Sequence, residues 1–474
     1  MSKISLLLEE IKIELYGNVL PFWLQHSFDD THGGFFNNLG QYGEVFDSRK
    51  HLWLQGRQCF MFARIANSHS DDELSLLFST YTAKVASAKK LMDLESEKEK
   101  SNGTNGSTLP TKAKHTPLPL TRQSLITSAR RGVQFLLDHA FQENGHVLFA
   151  LDQAGQPALH QRKIFSATFL IMAFAEVSKC CNEPALFDRA KSLFDDVLSW
   201  VKDPSALGKP GCKGSIPYQP LNVPMILLNV INEMATCIPA GHPAALAPVN
   251  DFYKDTVDWC ASRILLHASA SNGKGCLENI LPDGSTDFST PDGRLLNPGH
   301  SIEAGWFLLE HARKRNDAGL EKRAREIIDE SFNVGWDASF GNGGFIYFRD
   351  IEGFDPTLLE KDSKLWWPMC EAMIAYAMAA ESGVSSNDSN TTVAQPPYDT
   401  EGALNRYEII SRWALDHFSD IKRGGEWFGY LDRDGRVTHS FKGGPYKGCF
   451  HVPRALLFVE QALTRVLKER SQHV

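Results

Sequence analysis

The chain has 474 residues, 42% hydrophobic and 22% charged, a balance that supports a large buried core and excludes disorder of the whole. Lys and Arg number 49 against 57 Asp and Glu, a net charge of -8, which disfavours nucleic acid or an anionic membrane surface as partner; no stretch approaches the ~18 consecutive apolar residues of a membrane-spanning helix. Length alone, at ~150 residues per domain, would give about three domains.

The opening segment MSKISLLLEEIKIELYGNVLPFW predicts an amphipathic helix, because Glu9, Glu10, Lys12 and Glu14 interrupt the continuous apolar core of a signal peptide. The nine cysteines are odd in number and contain no C-x-x-C pair, fitting neither a disulfide framework nor a thiolate zinc site. A cytoplasmic location is expected, and the sequons at Asn102, Asn105, Asn387 and Asn390 then carry no weight. Two stretches, near 94–120 and 382–398, are rich in Ser, Thr, Asn, Gly, Pro and charge and lack apolar periodicity. They read as disordered surface insertions.

Glycine-led, aromatic-rich segments recur at Gly33–Gly43, Gly145–Gly155, Gly275–Gly284, Gly343–Gly353 and Gly425–Gly435. Each predicts a small hairpin with a tight turn. Helical patterns separate them, as in Ile164–Cys180 and Ser301–Lys314. With the insertions removed and the long third stretch split at Gly211–Pro217, six units of roughly seventy residues remain. Six helix pairs predict one domain over residues 1–474: an all-α ring of six inner and six outer helices, an (α/α)6 barrel with its short hairpins at one end of a central pocket.

Polar residues soon after the hairpins would enter that pocket from the starts of inner helices. Arg57, His300 and His451 follow their hairpin glycines at nearly equal distances, with Lys163, Lys364 and Glu371 at similar offsets and Glu303 one turn after His300. A single histidine commonly caps or cross-links its own helix. Two in matching registers suit a proton shuttle, since neutral imidazole takes a proton and its charged partner gives one. Trp366 and Trp367 together would supply the aromatic wall on which a sugar stacks, although for either one alone core packing is the better reading. The Gly208–Ser215 run misses the phosphate-loop spacing, and no H-E-x-x-H or acidic loop points to a catalytic metal.

Six motifs in order, WLQGRQ (53–58), RKIFSATF (162–169), LNPGHSIEAGWFLLE (296–310), KLWWPMCEA (364–372), EWFGYLDRDGRV (426–437) and KGGPYKGCFHVPRAL (442–456), together resemble the N-acylglucosamine 2-epimerase family over nearly the whole chain. The resemblance implies the (α/α)6 barrel, a homodimer, and interconversion of N-acetylglucosamine with N-acetylmannosamine. It also implies ATP or a related nucleotide as an activator that is not consumed. By motif, His300 and His451 are its acid/base residues and Arg57 and Glu371 the supporting catalytic pair, with Lys163, Glu303, Lys364, Trp366 and Trp367 toward substrate. Two departures stand out: Met369 occupies a position where the family often has His, and Trp200 interrupts the leucine repeat (Leu186, Leu193, Leu207) tied to renin as a partner. The implied chemistry inverts C2 of the ring-opened sugar, with Arg57 at the developing O1 charge. Glu371 would either orient a histidine or assist ring opening. Rival readings are an epimerase or aldose-ketose isomerase of unmodified sugars, a glycoside hydrolase needing two opposed carboxylates, and a renin-binding or inhibitory protein.

Overall fold

The computed structural model describes residues 2–100, 120–208, 212–246, 248, 251–339, 343–381, 398–421 and 425–472, with 91–100 as backbone alone. The expected insertions therefore lie largely outside the described residues. In chain order the helices are α1 (Lys3–Lys12), running through a π-helical stretch at Ile13–Val19 into α2 (Leu20–His26), then α3 (Leu52–Ser68), α4 (Asp71–Lys100), α5 (Arg122–His139), α6 (Phe165–Cys181) and α7 (Pro184–Lys202). The chain continues with α8 (Asn222–Ala235), α9 (Lys254–Ala270), α10 (Pro298–Arg315), α11 (Ala318–Gly335), α12 (Trp366–Ala379), α13 (Thr400–Phe418) and α14 (His451–Gln472).

Composition sorts these helices into two layers. Stretches such as FSATFLIMAFAEV in α6 and WWPMCEAMIAYAMA in α12 are buried on nearly every side, as a helix enclosed by neighbours must be. By contrast α7 and α11 bury one stripe and expose the rest. Among the described residues, α3, α6, α8, α10, α12 and α14 contact one another in turn as an inner ring, and α14 returns to α3. Outside them pack α5, α7, α9, α11 and α13, with the α1–α2 run covering α14. This is the expected (α/α)6 barrel.

One helix departs from the six-pair expectation. Helix α4 lies outside the ring against the π-helical stretch, where a Cβ on Gly17 would stand 2.6 Å from the Tyr81 carbonyl oxygen; only glycine permits so close an approach. In α7, Leu186 and Leu193 are buried together with Trp200, so the leucine repeat faces the core.

The hairpins form a belt around one mouth of the barrel. Their closing glycines, Gly43, Gly155, Gly284, Gly353 and Gly435, all take φ between +83° and +91°, which L side chains resist. The two residues leading into one inner helix pair with the hairpin leading into the next: Lys50–His51 with Ala150–Leu151, Gln219–Pro220 with Asn279–Ile280, Leu295–Leu296 with Arg349–Asp350, and Lys364–Leu365 with Tyr430–Leu431. Backbone bonds between Leu39 and Lys442–Gly443 join last unit to first. Among the described residues the belt has one interruption, between α6 and α8.

Candidate active site

Helix starts aim the key side chains. Asn297 caps α10, its Oδ1 accepting the His300 N–H at 3.2 Å, with Pro298 in the first turn. His451 is the first residue of α14, and Pro453 sits where an interior hydrogen bond is not yet required. Arg57 is one turn into α3, and Trp366–Trp367–Pro368 opens α12. All four helices therefore deliver their first turns to one cavity of about 640 Å³ at the hairpin end.

Arg57, His300, Glu303, Trp366, Trp367 and His451 line that cavity together with Asn229, Tyr347, Tyr430, His439 and Arg454. Trp367 lies against both imidazoles, its ring centroid 5.1 Å from that of His300 and 6.0 Å from that of His451.

Each histidine is held from behind by a carboxylate. His300 Nδ1 lies 3.0 and 3.1 Å from the two oxygens of Glu278. His451 Nδ1 lies 2.7 Å from Glu371 Oε1. Carboxylates only accept, so Nδ1 carries the proton on both rings and Nε2 is left for substrate. Their charges diverge. Burial opposes a proton on His300, but Glu278, helped by Glu303 and Glu371, prevails and raises its pKa above the ordinary 6.5. Burial, then the positive charges of Arg57 and Arg454, hold His451 well below that value. Near neutral pH the surroundings therefore favour the charged form of His300 and the neutral form of His451.

Arg57 is sandwiched among rings, its guanidinium 4.7 Å from the Trp53 centroid, 4.1 Å from Phe169 and 4.7 Å from Phe450. Among the described residues no carboxylate pairs with it, and its Nε has no hydrogen-bond partner. Burial lowers its pKa to about 9, which leaves the group cationic at neutral pH and its charge unspent.

Glu371 stands behind the wall. It accepts from His451, from Arg454 Nη2 at 2.5 Å and from Trp306 Nε1 at 3.0 Å, so it positions His451, and of the two roles left open for it the orienting one has the geometry. Arg454 also donates to Glu303 at 2.9 Å. Glu303, Glu371 and His451 converge closely enough to ligate a cation. Arg454 Nη2 already lies 2.9 Å from Glu303, 2.5 Å from Glu371 and 3.5 Å from His451 Nδ1, so a cationic side chain stands against all three donors and the set does not fit a metal.

Two expected substrate contacts lie elsewhere. Lys364 is fully buried under the hairpin belt, 3.3 Å from Asp337; Lys50 with Asp29 (2.8 Å) and Lys442 with Asp420 (2.9 Å) repeat the arrangement. Lys50 and Lys364 lie in the strand just before an inner helix, and Lys442 in the loop before α14; each is paired with a buried carboxylate, which is why the offset of Lys364 resembled that of a pocket residue. Lys163 is exposed outside the central cavity, beside a groove with His146, His160, Arg162 and Trp200. Lys364→Met is expected to destabilise the fold by about 3 kcal/mol, because Asp337 loses its buried cation and keeps only Ser339 and the more exposed Arg433 at 3.6 Å, with KM of the remaining folded enzyme unchanged within twofold; urea unfolding and steady-state kinetics check both.

Arg454 and Glu278 were not foreseen as site residues. Arg454 follows His451 by three positions on one helix, a spacing that places both on one face. Glu278 sits inside the hairpin GCLENILPDG, where only three-dimensional pairing reveals its partner.

Residues 119–455 match the profile of the N-acylglucosamine 2-epimerase family. The N-acylglucosamine 2-epimerase of Rattus norvegicus is 35% identical over 458 residues, 95% of this chain and 90% of the relative. The chain belongs to the N-acylglucosamine 2-epimerase family. The human N-acylglucosamine 2-epimerase is likewise 35% identical over 456 residues, covering 95% of this chain and 88% of its own. Among solved structures, the cellobiose 2-epimerase of Spirochaeta thermophila superposes with a TM-score of 0.67 over 98% of each chain at 17% identity. At that identity the likeness to the cellobiose enzyme is one of fold.

Proposed function

We propose that the protein interconverts N-acetyl-D-glucosamine and N-acetyl-D-mannosamine by moving a proton at C2 of the ring-opened sugar. The observation that carries this is the pair of imidazoles on one cavity wall, each fixed by its own carboxylate and biased toward opposite protonation states. In the open form the C1 aldehyde acidifies the C2 proton. Neutral His451 takes that proton through Nε2, and the electron pair moves onto O1 as an enolate. Arg57, with no carboxylate partner, supplies the positive charge that O1 develops against. Charged His300 then delivers its proton to the opposite face of C2, which inverts the centre. The pair ends with its proton exchanged from one ring to the other, and solvent resets it. No redox cofactor is required by this balance.

Incubating the protein with N-acetylmannosamine in D₂O tests the proposal. N-acetylglucosamine carrying deuterium at C2 is the expected product. Product without the label overturns the proton-transfer route, and mannose converted as well as N-acetylmannosamine favours the reading as an epimerase of unmodified sugars. The two directions use the two proton arrangements of one singly protonated pair. Activity is therefore expected to fall below an acid limb set by His451, well under pH 6.5, and above an alkaline limb set by His300, over pH 6.5, with the same limbs in both directions; kcat/KM measured across pH checks this.

The same reading makes the protein a cytoplasmic homodimer, activated and not consumed by ATP or a related nucleotide. Free thiols on all nine cysteines support the compartment. A groove of about 310 Å³ lined by His146, His160, Arg162, Lys163 and Trp200 offers cations beside an aromatic face for the nucleotide. Assays with and without ATP test activation, and sedimentation tests the dimer.

A further inference from the structure

Several buried polar atoms on the cavity wall lack a hydrogen-bond partner, among them Trp53 Nε1, Arg57 Nε and Trp366 Nε1, and one side chain leaves both a donor and an acceptor open. Asn229 lies in α8, 1% exposed, and neither its Nδ2 nor its Oδ1 makes a hydrogen bond. Its neighbours on the helix have partners: Asn232 donates to Glu310 of α10 at 3.4 Å, and Glu233, although its Oε2 makes no hydrogen bond, is ion-paired with Arg64 at 3.3 Å. A buried donor and acceptor left open together are costly to keep, and here both belong to a residue that lines the catalytic cavity.

Position narrows what fills them. Asn222, Met225, Ile226 and Asn229 are the residues of α8 that line the cavity, spaced as one helix face. Asn229 comes two turns after Asn222, about 10 Å farther along the axis, so it belongs to the deep end, beyond the first turn of α10 that carries His300. Met225, Ile226 and Phe307 surround this end with apolar surface. A sugar hydroxyl would suit an open amide but gains nothing from that apolar surface. A short acyl amide suits both, since it carries a carbonyl, an N–H and an alkyl end. It is also attached to the carbon that the two imidazoles address.

We propose that Asn229 is the specificity-determining residue for the 2-acylamino group, an inference that rests on the sugar 2-epimerase reading. A trans acyl amide turns its carbonyl and N–H to opposite sides, so one side chain meets one of them. Asn229 Nδ2–H donates to the acyl oxygen, Oδ1 accepts from a neighbouring sugar hydroxyl, and the acyl methyl rests among Met225, Ile226 and Phe307. A site built around that hydrogen bond discriminates strongly against a ligand lacking the group, because the amide is then left unpaired.

The test uses two unreactive open-chain analogues, N-acetylglucosaminitol, which carries the acetamide, and glucitol, which does not. Their binding to the wild-type protein, Asn229→Leu and Asn229→Ala is measured by calorimetry, with each variant's thermal unfolding recorded beside it. Both variants are expected to lose at least tenfold more affinity for the acetamide analogue than for glucitol, which shares only the hydroxyl bond to Oδ1. Equal losses for the two analogues, or no loss for either, would overturn the assignment. Wild-type turnover of N-acetylmannosamine is followed in parallel: its absence counts against the epimerase reading, whereas turnover with unaltered analogue preference in the variants counts against Asn229 alone.

Discussion

Replacing either imidazole by glutamine is expected to lower kcat for epimerisation by about 10²- to 10⁴-fold, the usual range for losing a positioned acid or base, while leaving half of the proton chemistry intact. His300 and His451 lie on separate inner helices, and each holds its own carboxylate. Removing one leaves the other oriented. In D₂O, His300→Gln should therefore still exchange the C2 proton of the epimer whose proton faces His451, and His451→Gln that of the other epimer. Exchange without inversion, one epimer per variant, is the result expected by nuclear magnetic resonance. A variant that washes label into both epimers equally would mean that one group serves both faces, and the two-base arrangement would fail.

Arg454→Met is expected to have the largest effect on stability. This guanidinium is almost wholly buried between Glu303 and Glu371, and deleting it leaves two carboxylates without their cation. Breaking a buried pair in this way costs about 3–5 kcal/mol, read as a fall in the urea midpoint at unchanged slope. The catalytic consequence has a definite sign. Arg454 is one of the charges that keep His451 deprotonated, so without it the His451 pKa rises and the acid limb of kcat/KM moves to higher pH. Arg454→Lys retains the charge and should restore most of that limb. A limb unmoved in Arg454→Met would show that burial and Arg57 alone depress His451.

The legible part of this chain was what local chemistry dictates. Closing glycines such as Gly155 and Gly435 mark turns because few other residues tolerate φ near +90°, and Asn297–Pro298 announces the start of α10 by its capping chemistry. From these the ring and the positions of Arg57, His300 and His451 followed. The hidden part depended on direction and pairing. Lys364 stands close to Trp366 in sequence, yet the strand turns its side chain beneath the belt, toward Asp337. Glu371 shares a motif with the tryptophans, yet it faces His451 from behind. Glu278 reads as one more hairpin residue until His300 is brought against it. Helix α4 was invisible for another reason: its sequence merges into the polar stretch that follows, so no boundary separates them.

The barrel is closed by its final helix, α14, which packs against α1 and α3 and also brings His451 and Arg454. On the proposed two-base mechanism, inversion at C2 therefore waits for this last helix. Protein synthesis lays down five inner staves, with His300 and Arg57 among them, before the second imidazole exists. Until α14 docks, Glu303 and Glu371 lack the guanidinium that makes their burial tolerable. Docking of the last stave joins sequence-distant surfaces, the kind of contact that sets a slow folding step, so the event that completes the wall is the same one that switches the chemistry on.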